Sequence, residues 1–261
     1  MAVMDEFKEE RAALKNGTPK EKISYFIYYY KWHVIITVAV IAMVVSFVVQ
    51  IMNRKENAIY VCMLNTVEKN ADGNIYSNTA SDEFGAEFAE YAGIDTEEYD
   101  VYLDTSLTID YNSMDENTVN SSQKYVTYLA AAEMDVIVTD VDSLENYAYQ
   151  EDFHDLRDIL SPEQLEKYEP YFYYIDMATV KERNEYLDQP DNLYTDFDLN
   201  APDPRKPEAM EEPIPVGIFL DNSTNIRNHF FFRSDDIVAC VFANTQRMDT
   251  ALQYLDFLME E

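Results

Sequence analysis

The longest uninterrupted apolar stretch of the chain lies between Trp32 and Met52. From Val34 it reads VIITVAVIAMVVSFVVQIM, with three polar residues and no charged one. About 20 apolar residues, rising about 1.5 Å each, cross the roughly 30 Å hydrocarbon core of a bilayer. A buried helix of a soluble protein seldom stays apolar on every face over such a length. The pattern therefore predicts a transmembrane helix over residues 32–52.

The residues on either side of this run predict its orientation. Four lysines precede it and two bases follow it closely: Lys15, Lys20, Lys22 and Lys31, then Arg54 and Lys55. Because short basic flanks stay in the cytoplasm, residues 1–31 are predicted to form a cytoplasmic tail and residues 53–261 an extracytoplasmic domain. A cleaved signal peptide would have a shorter apolar region ending in small residues. We therefore expect an uncleaved signal anchor in a single-pass protein of the cell membrane.

Helix signals extend this segment towards the N-terminus. Thr18-Pro19-Lys20-Glu21 combines an N-cap residue, a proline at the first helical position and a capping-box glutamate. A helix that starts there and runs to Met52 has about 34 residues and a length of roughly 50 Å, more than a bilayer requires. A separate short helix is predicted over 3–15, ended by Asn16-Gly17.

Beyond residue 53 the pattern alternates between strands and helices. Short apolar runs predict strands over 58–64 and 136–139, and alternation predicts another over 99–109. A turn is expected over 71–74. Apolar residues at helical spacing predict one helix around residues 84–91, ended by Gly93, and another within 121–134. Strands that alternate with helices in this way indicate a parallel sheet.

The second half of the domain continues this pattern after a helical section. Helices are predicted around Leu144 and Tyr147, after the capping box at Ser161, and over 179–187. Residues 188–213 are rich in proline and acids, which favours a surface loop. Strands over 215–220 and 237–242 and a closing helix over 248–258 complete the chain. The predicted fold class is α/β, with a parallel or mixed sheet and flanking helices after the membrane helix.

The net charge of the chain limits which ligands and partners are expected. The chain has 19 basic and 50 acidic residues, of which residues 1–52 hold six and five. The remainder, with 13 bases and 45 acids, therefore carries a net charge of −32. Such a charge repels nucleic acid and anionic lipid, so neither is an expected ligand. It favours solubility and could also attract cations or basic partners.

No catalytic or cofactor motif is present in the sequence. The three histidines, at 33, 154 and 229, lie outside any two-histidine metal motif. The five glycines, at 17, 73, 85, 93 and 217, exclude a Walker loop, a dinucleotide fingerprint and a Gly-x-Ser-x-Gly elbow. We therefore expect a non-enzymatic protein without metal or cofactor.

Ligands of open α/β sheets bind beyond the carboxyl ends of the strands. Thr139, Asp140 and Asp142 end the third predicted strand, and Tyr147 follows nearby, so these four are the candidate ligand-binding residues. Asp140, Asp142 and Glu145 could also ligate calcium, but a carboxylate that caps the next helix explains the same pattern and is favoured.

Tyrosine and cysteine each leave two interpretations open. Six tyrosines between residues 147 and 174 suit either a crevice for a sugar or a cationic solute, or simple core packing, which is favoured. Cys62 and Cys240 both fall in apolar strands. Buried free thiols are favoured over a disulfide, because nothing in the sequence places these strands side by side.

Two segments carry a resemblance to a known family. The first is Asp135–Asp140 with Leu144, Tyr147-Ala148, Phe153 and Asp155-Leu156, and the second comprises Pro215–Ile218, Val238–Asn244 and Ala251–Leu258. Over residues 58–66 and 133–260 the chain resembles extracellular solute-binding proteins of ABC importers. As a whole it looks like single-span proteins of Gram-positive bacteria.

This resemblance implies a periplasmic-binding-like fold of type II and a small solute, such as a sugar or a cationic molecule, as ligand. Two departures modify that expectation. The outer part is short, so a second lobe is expected to be reduced. Cys62 lies in Tyr-Val-Cys-Met rather than in a lipobox, so a membrane helix takes the place of a lipid anchor. The alternative function is an interaction or structural protein of the cell envelope whose ligand cleft has been lost.

Overall fold

The computed structural model describes residues 18–52, 55–69, 79–113, 115–192 and 197–260. The predicted helix over 3–15 and the predicted turn over 71–74 lie outside these residues. The chain divides into two compact units, Met1–Lys55 and Glu56–Glu261.

The first unit contains one long helix, α1, over Pro19–Met52. Its 34 residues confirm the predicted start at the Thr18-Pro19 signal and the predicted length. The part from Tyr30 to Met52 is long and apolar enough to cross a membrane. Side chains from Lys31 to Met52 are all exposed within the isolated chain. An N-terminal apolar helix of this kind is compatible with a membrane anchor.

The second unit is built from eight strands and eight helices within the described residues. The strands are β1 (Glu56–Met63), β2 (Val67–Glu68), β3 (Tyr99–Asp104), β4 (Val136–Asp140), β5 (Phe172–Asp176), β6 (Pro213–Phe219), β7 (Phe230–Phe231) and β8 (Ile237–Val241). The helices are α2 (Ala80–Ala92), α3 (Glu116–Ala130), α4 (Val141–Ala148), α5 (Leu156–Ile159), α6 (Pro162–Tyr168), α7 (Met177–Leu187), α8 (Thr224–His229) and α9 (Met248–Leu258).

Six of these strands form one mixed sheet in the order β3-β1-β4-β8-β6-β5. The strands β3, β1 and β4 are parallel, as the alternation of strands and helices predicted. β8 is antiparallel to β4, β6 to β8, and β5 to β6. β2 and β7 pair separately as a two-stranded antiparallel ribbon.

The sheet has a hydrophobic layer on each face, and β1 contributes to both. Ile59, Val61 and Met63 point into a layer that also contains α2 and α9 side chains such as Phe88 and Tyr254. The intervening residues of β1 point into a second layer with side chains of α3 and α4. A strand buried on both faces reads as a continuous apolar run, which is why the sequence predicted β1.

Several helix boundaries follow from local chemistry. α2 ends at Gly93, whose φ of 67° is readily adopted by glycine. α6 begins with a complete capping box, in which the Ser161 hydroxyl accepts from the Gln164 N–H and the Gln164 amide oxygen accepts from the Ser161 N–H. α3 begins at Glu116, earlier than predicted, because the Asp115 carboxylate caps it by accepting from the Thr118 N–H.

Two further predictions need correction. The strand predicted over 99–109 ends at Asp104, because residues beyond it turn away as a loop. The Phe-Tyr-Tyr-Ile-Asp sequence, which lies in the section predicted as helices and loops, forms the strand β5. The predicted loop over 188–213 is confirmed for its described part up to Glu212, and its Pro204 carbonyl accepts from the Tyr174 N–H of β5. A mixed sheet with flanking helices occurs in many families, so it does not by itself identify a solute-binding protein.

Candidate ligand-binding site

The order of the strands defines where a ligand would be expected. From β1 the chain goes to β3 on one side and then to β4 on the other side. Such a switch in direction opens a crevice beyond the carboxyl ends of the two central strands, where α/β proteins commonly bind ligands. Here that point lies between the ends of β1 and β4.

In this protein the crevice is filled by the side chain of Asn65, which is 5% exposed. Its Nδ2 donates to the Ser143 Oγ at 2.7 Å, and its Oδ1 accepts from the Ile109 N–H at 2.8 Å. Asn65 itself has a φ of 57°, a conformation that asparagine tolerates better than most residues. The end of β1 is therefore closed by an amide whose nitrogen and oxygen are both hydrogen-bonded.

Two of the predicted site residues, Thr139 and Asp140, form hydrogen bonds within the protein close to Asn65. The Thr139 hydroxyl donates to the Leu64 carbonyl at 3.0 Å. The Asp140 carboxylate accepts from the Ser143 N–H and hydroxyl, each at 3.0 Å. Both residues are 0% exposed. The prediction that an aspartate here caps the next helix is confirmed for Asp140, at the start of α4.

The other two predicted residues lie in different surroundings. Asp142 is exposed in the first turn of α4. Tyr147 points into the core, with its ring 4.4 Å from that of Tyr125. The structure thus buries Thr139 and Asp140 where β4 meets α4, exposes Asp142 and packs Tyr147 in the core, and a ligand-binding role for the four stays a prediction. The described residues contain no group of three or more His, Cys, Asp or Glu placed to hold a metal ion.

The tyrosines after β4 mostly pack the core. Tyr147, Tyr149, Tyr168 and Tyr173 are all buried, which confirms the packing interpretation for these four. Burial raises the pKa of Tyr149 to about 12, so its phenol stays protonated at neutral pH. These rings therefore contribute hydrophobic area rather than a ligand-facing surface.

The two cysteines are free and buried, as favoured by the sequence. Each lies beside Ile137 of β4, Cys62 on β1 and Cys240 on β8. Burial raises the pKa of both thiols well above the usual range, so they act as apolar core side chains.

An open cavity of about 540 Å³ lies next to the closed crevice, at the carboxyl end of β3. One wall is α3, the other is the loop that follows β3, and Arg233 from the segment after β7 reaches the rim. The lining is dominated by hydroxyl and amide side chains, with Leu107 as its apolar residue. A volume of this size is typical of small-molecule sites.

The base Lys124 of α3 sits at this cavity but is held by internal partners. Its Nζ lies 2.7 Å from the Asp104 Oδ2 and 2.8 Å from the Ser106 Oγ. Burial alone would raise the pKa of Asp104, but hydrogen bonds from Lys124, Ser106 and Tyr60 outweigh it and lower that pKa. Burial alone would lower the pKa of Lys124, yet the Asp104 carboxylate raises it. Lys124 is therefore a protonated ammonium at neutral pH.

Arg233 is exposed and makes no hydrogen bond or ion pair with any described residue. Sequence reasoning missed it, together with Thr108, Asn117 and Asn120 of the same cavity. Each residue is unremarkable in its own segment, so no local pattern marks them. They meet only because β3 and the segment after β7 reach the same end of the domain.

A second cavity, of about 370 Å³, is lined by α7 and the loop after it. It contains the carboxylates of Glu182 and Asp198 beside the rings of Tyr186 and Phe197. α7 follows β5, the edge strand on the side of the sheet opposite β3, so this cavity lies at the other edge of the sheet.

Comparisons of the chain with family models, with curated proteins and with solved structures found no match. The arrangement of its own residues is therefore the basis for assigning a function.

Proposed function

We propose that this chain is a membrane-anchored, non-enzymatic binding protein whose α/β domain takes a small polar solute outside the cell. The observation that carries this proposal is the polar cavity of about 540 Å³ beside the switch in strand order. The lysine asymmetry around α1 supports the extracytoplasmic location, because basic flanks stay in the cytoplasm.

The ion pair of Lys124 argues against one catalytic arrangement in the cavity, a serine activated by a lysine. Ser106 and Lys124 lie at hydrogen-bond distance, a pairing that could activate a serine if the lysine were neutral. The ion pair with Asp104 raises the pKa of Lys124 and so keeps it protonated. A protonated ammonium cannot accept the serine proton, so Lys124 does not serve as a general base for Ser106 in this arrangement.

A thermal-shift screen tests the proposal. The purified full-length chain in detergent would be heated with sugars, sugar acids, peptides, polyamines and divalent metal ions. A solute that binds the folded domain must raise its melting temperature in proportion to the logarithm of concentration above Kd. A screen in which no solute gives a saturable shift would refute solute binding.

An envelope interaction protein is the second candidate, and the Asn65 side chain in the crevice is the observation that favours it. In that case the chain has no small ligand, and a partner protein would contact its surface. The exposed edge strand β3, with Tyr99 and Tyr102 at 36% and 45% exposure, offers a pairing edge. Proximity labelling in cells that recovers one partner, lost after Tyr102→Lys, together with a negative solute screen, would favour this function.

A further inference from the structure

The unpaired state of Arg233 stands out against the charge of its surroundings. Residues 53–261 contain 45 acids for 13 bases, so a guanidinium there is expected to find a carboxylate. Arg157, Arg205 and Arg247 each do so, with ion-pair distances between 2.5 and 2.9 Å. Arg183 and Arg227 instead donate to amide or carbonyl oxygens. Arg233 has neither an ion pair nor a hydrogen bond to a described residue, although it lines the cavity of about 540 Å³.

The same cavity offers hydrogen-bonding groups that the fold leaves unused. The side-chain amides of Asn117 and Asn120 and the hydroxyl of Thr108 make no hydrogen bond to a described residue. The Asp110 carboxylate accepts from the Asn112 N–H through one oxygen and has further acceptor capacity. These groups can both donate to and accept from the hydroxyls of a ligand.

The charged side chains that line the cavity differ in how many of their hydrogen-bonding groups the described residues already occupy. Lys124 is neutralised by Asp104 at 2.7 Å, and Asp115 is occupied by the Thr118 N–H and the Ser113 hydroxyl. The Arg233 guanidinium keeps five donors in a planar fork, which matches a carboxylate in a bidentate pair. At physiological salt, acids more than about 8 Å away are largely screened, but the Asp110 and Asp115 carboxylates line the same cavity. An anion would therefore bind there through direct contact with the Arg233 guanidinium.

We propose that the cavity binds a sugar acid, with its carboxylate on Arg233 and its hydroxyls on Asp110, Asn117, Asn120 and Thr108. This inference rests on the proposed function, since it names the class of solute for the same site. A neutral sugar would leave the Arg233 donors without an anionic acceptor, and an amino sugar would place a cation beside them.

The test is isothermal titration of the full-length chain in detergent with glucuronate, galacturonate and gluconate, and with glucose, galactose and glucosamine. The variant Arg233→Gln removes the guanidinium and retains an amide of similar length. Arg157→Gln is the matched control, because it makes the same charge change on α5, outside the cavity. Thermal unfolding of each variant establishes that it is folded.

We expect at least one sugar acid to bind at least tenfold more tightly than its neutral counterpart. Its affinity should fall at least tenfold in Arg233→Gln and stay within twofold in Arg157→Gln, because hydrogen bonds to charged groups are the strong ones. Equal binding of neutral sugars, or unchanged affinity in Arg233→Gln, would overturn this inference while leaving a solute-binding function. If none of the acids binds but another solute does, the inference also fails. If no solute binds, both proposals fail.

Discussion

Replacing Arg247 by methionine should destabilise the domain strongly, because it isolates a buried carboxylate. Asp135 is 0% exposed and accepts from the Arg247 Nε and the Tyr60 N–H, each at 2.7 Å, and from the Thr245 hydroxyl. The Arg247 side chain is 23% exposed, so it lies between the buried aspartate and water. Methionine keeps much of the aliphatic packing and removes the charge and its donors.

The expected loss can be bounded from these contacts. Removing one partner of a buried ion pair costs about 3–5 kcal/mol. Asp135 retains two hydrogen bonds, and water can reach the vacated position because Arg247 was partly exposed. The lower end of the range, about 3 kcal/mol, is therefore expected. For a domain of about 200 residues, each kcal/mol lowers Tm by about 2–4 °C, so the shift should be about 6–12 °C.

Thermal unfolding is best followed by near-ultraviolet circular dichroism of the tyrosines. The single tryptophan, Trp32, lies in α1 and so is not part of the second unit. Arg157→Met is the matched control, because its partner Asp155 and Arg157 itself are both partly exposed, and such pairs contribute about 1 kcal/mol or less. An Arg247→Met variant no less stable than this control would refute the reasoning.

Three further predictions concern other parts of the chain. Burial raises the pKa of Asp152 from 3.8 to about 6, with Arg183 opposing it, so folding favours the protonated form and stability is lost as the pH rises between these values. Asp152→Asn should therefore raise the free energy of unfolding by about 1 kcal/mol at pH 7.5, after allowance for solvent screening. At pH 3 it should change the free energy of unfolding little. Chemical denaturation of both proteins at the two pH values tests this. Gly217→Ala should destabilise the domain by about 1–3 kcal/mol, because its Cβ would meet the Cys240 Sγ at 2.6 Å. The control Gly85→Ala, with no contact below 3.4 Å, should be neutral or stabilising. A Gly217→Ala protein with unchanged Tm would contradict this packing. A reporter that is active only in the cytoplasm should be silent when fused after the C-terminus, and activity there would overturn the predicted orientation.

Features that depend on neighbouring residues could be read from the sequence. The apolar helix α1, the capping box at Ser161 and the helix end at Gly93 each rest on a few adjacent residues. The apolar runs of β1 and β4 were equally legible, because strands buried on both faces need no polar alternation. The α/β class followed from the order of these elements, whereas the antiparallel pairing of β8, β6 and β5 did not.

Features that depend on distant residues were decided by the tertiary structure. Asn65 closes the crevice because the loop after β3 and the start of α4 supply its partners, Ile109 and Ser143. Tyr147 faces inward because α4 packs its apolar stripe against the sheet. Arg233 reaches the cavity because it precedes β8, which runs antiparallel to β4 and so begins at the carboxyl end of β4. Hydrophobic periodicity and helix capping depend on a few neighbouring residues. Which distant side chains come into contact is decided by the packing of helices and strands against each other. The candidate site is formed by such contacts between distant residues.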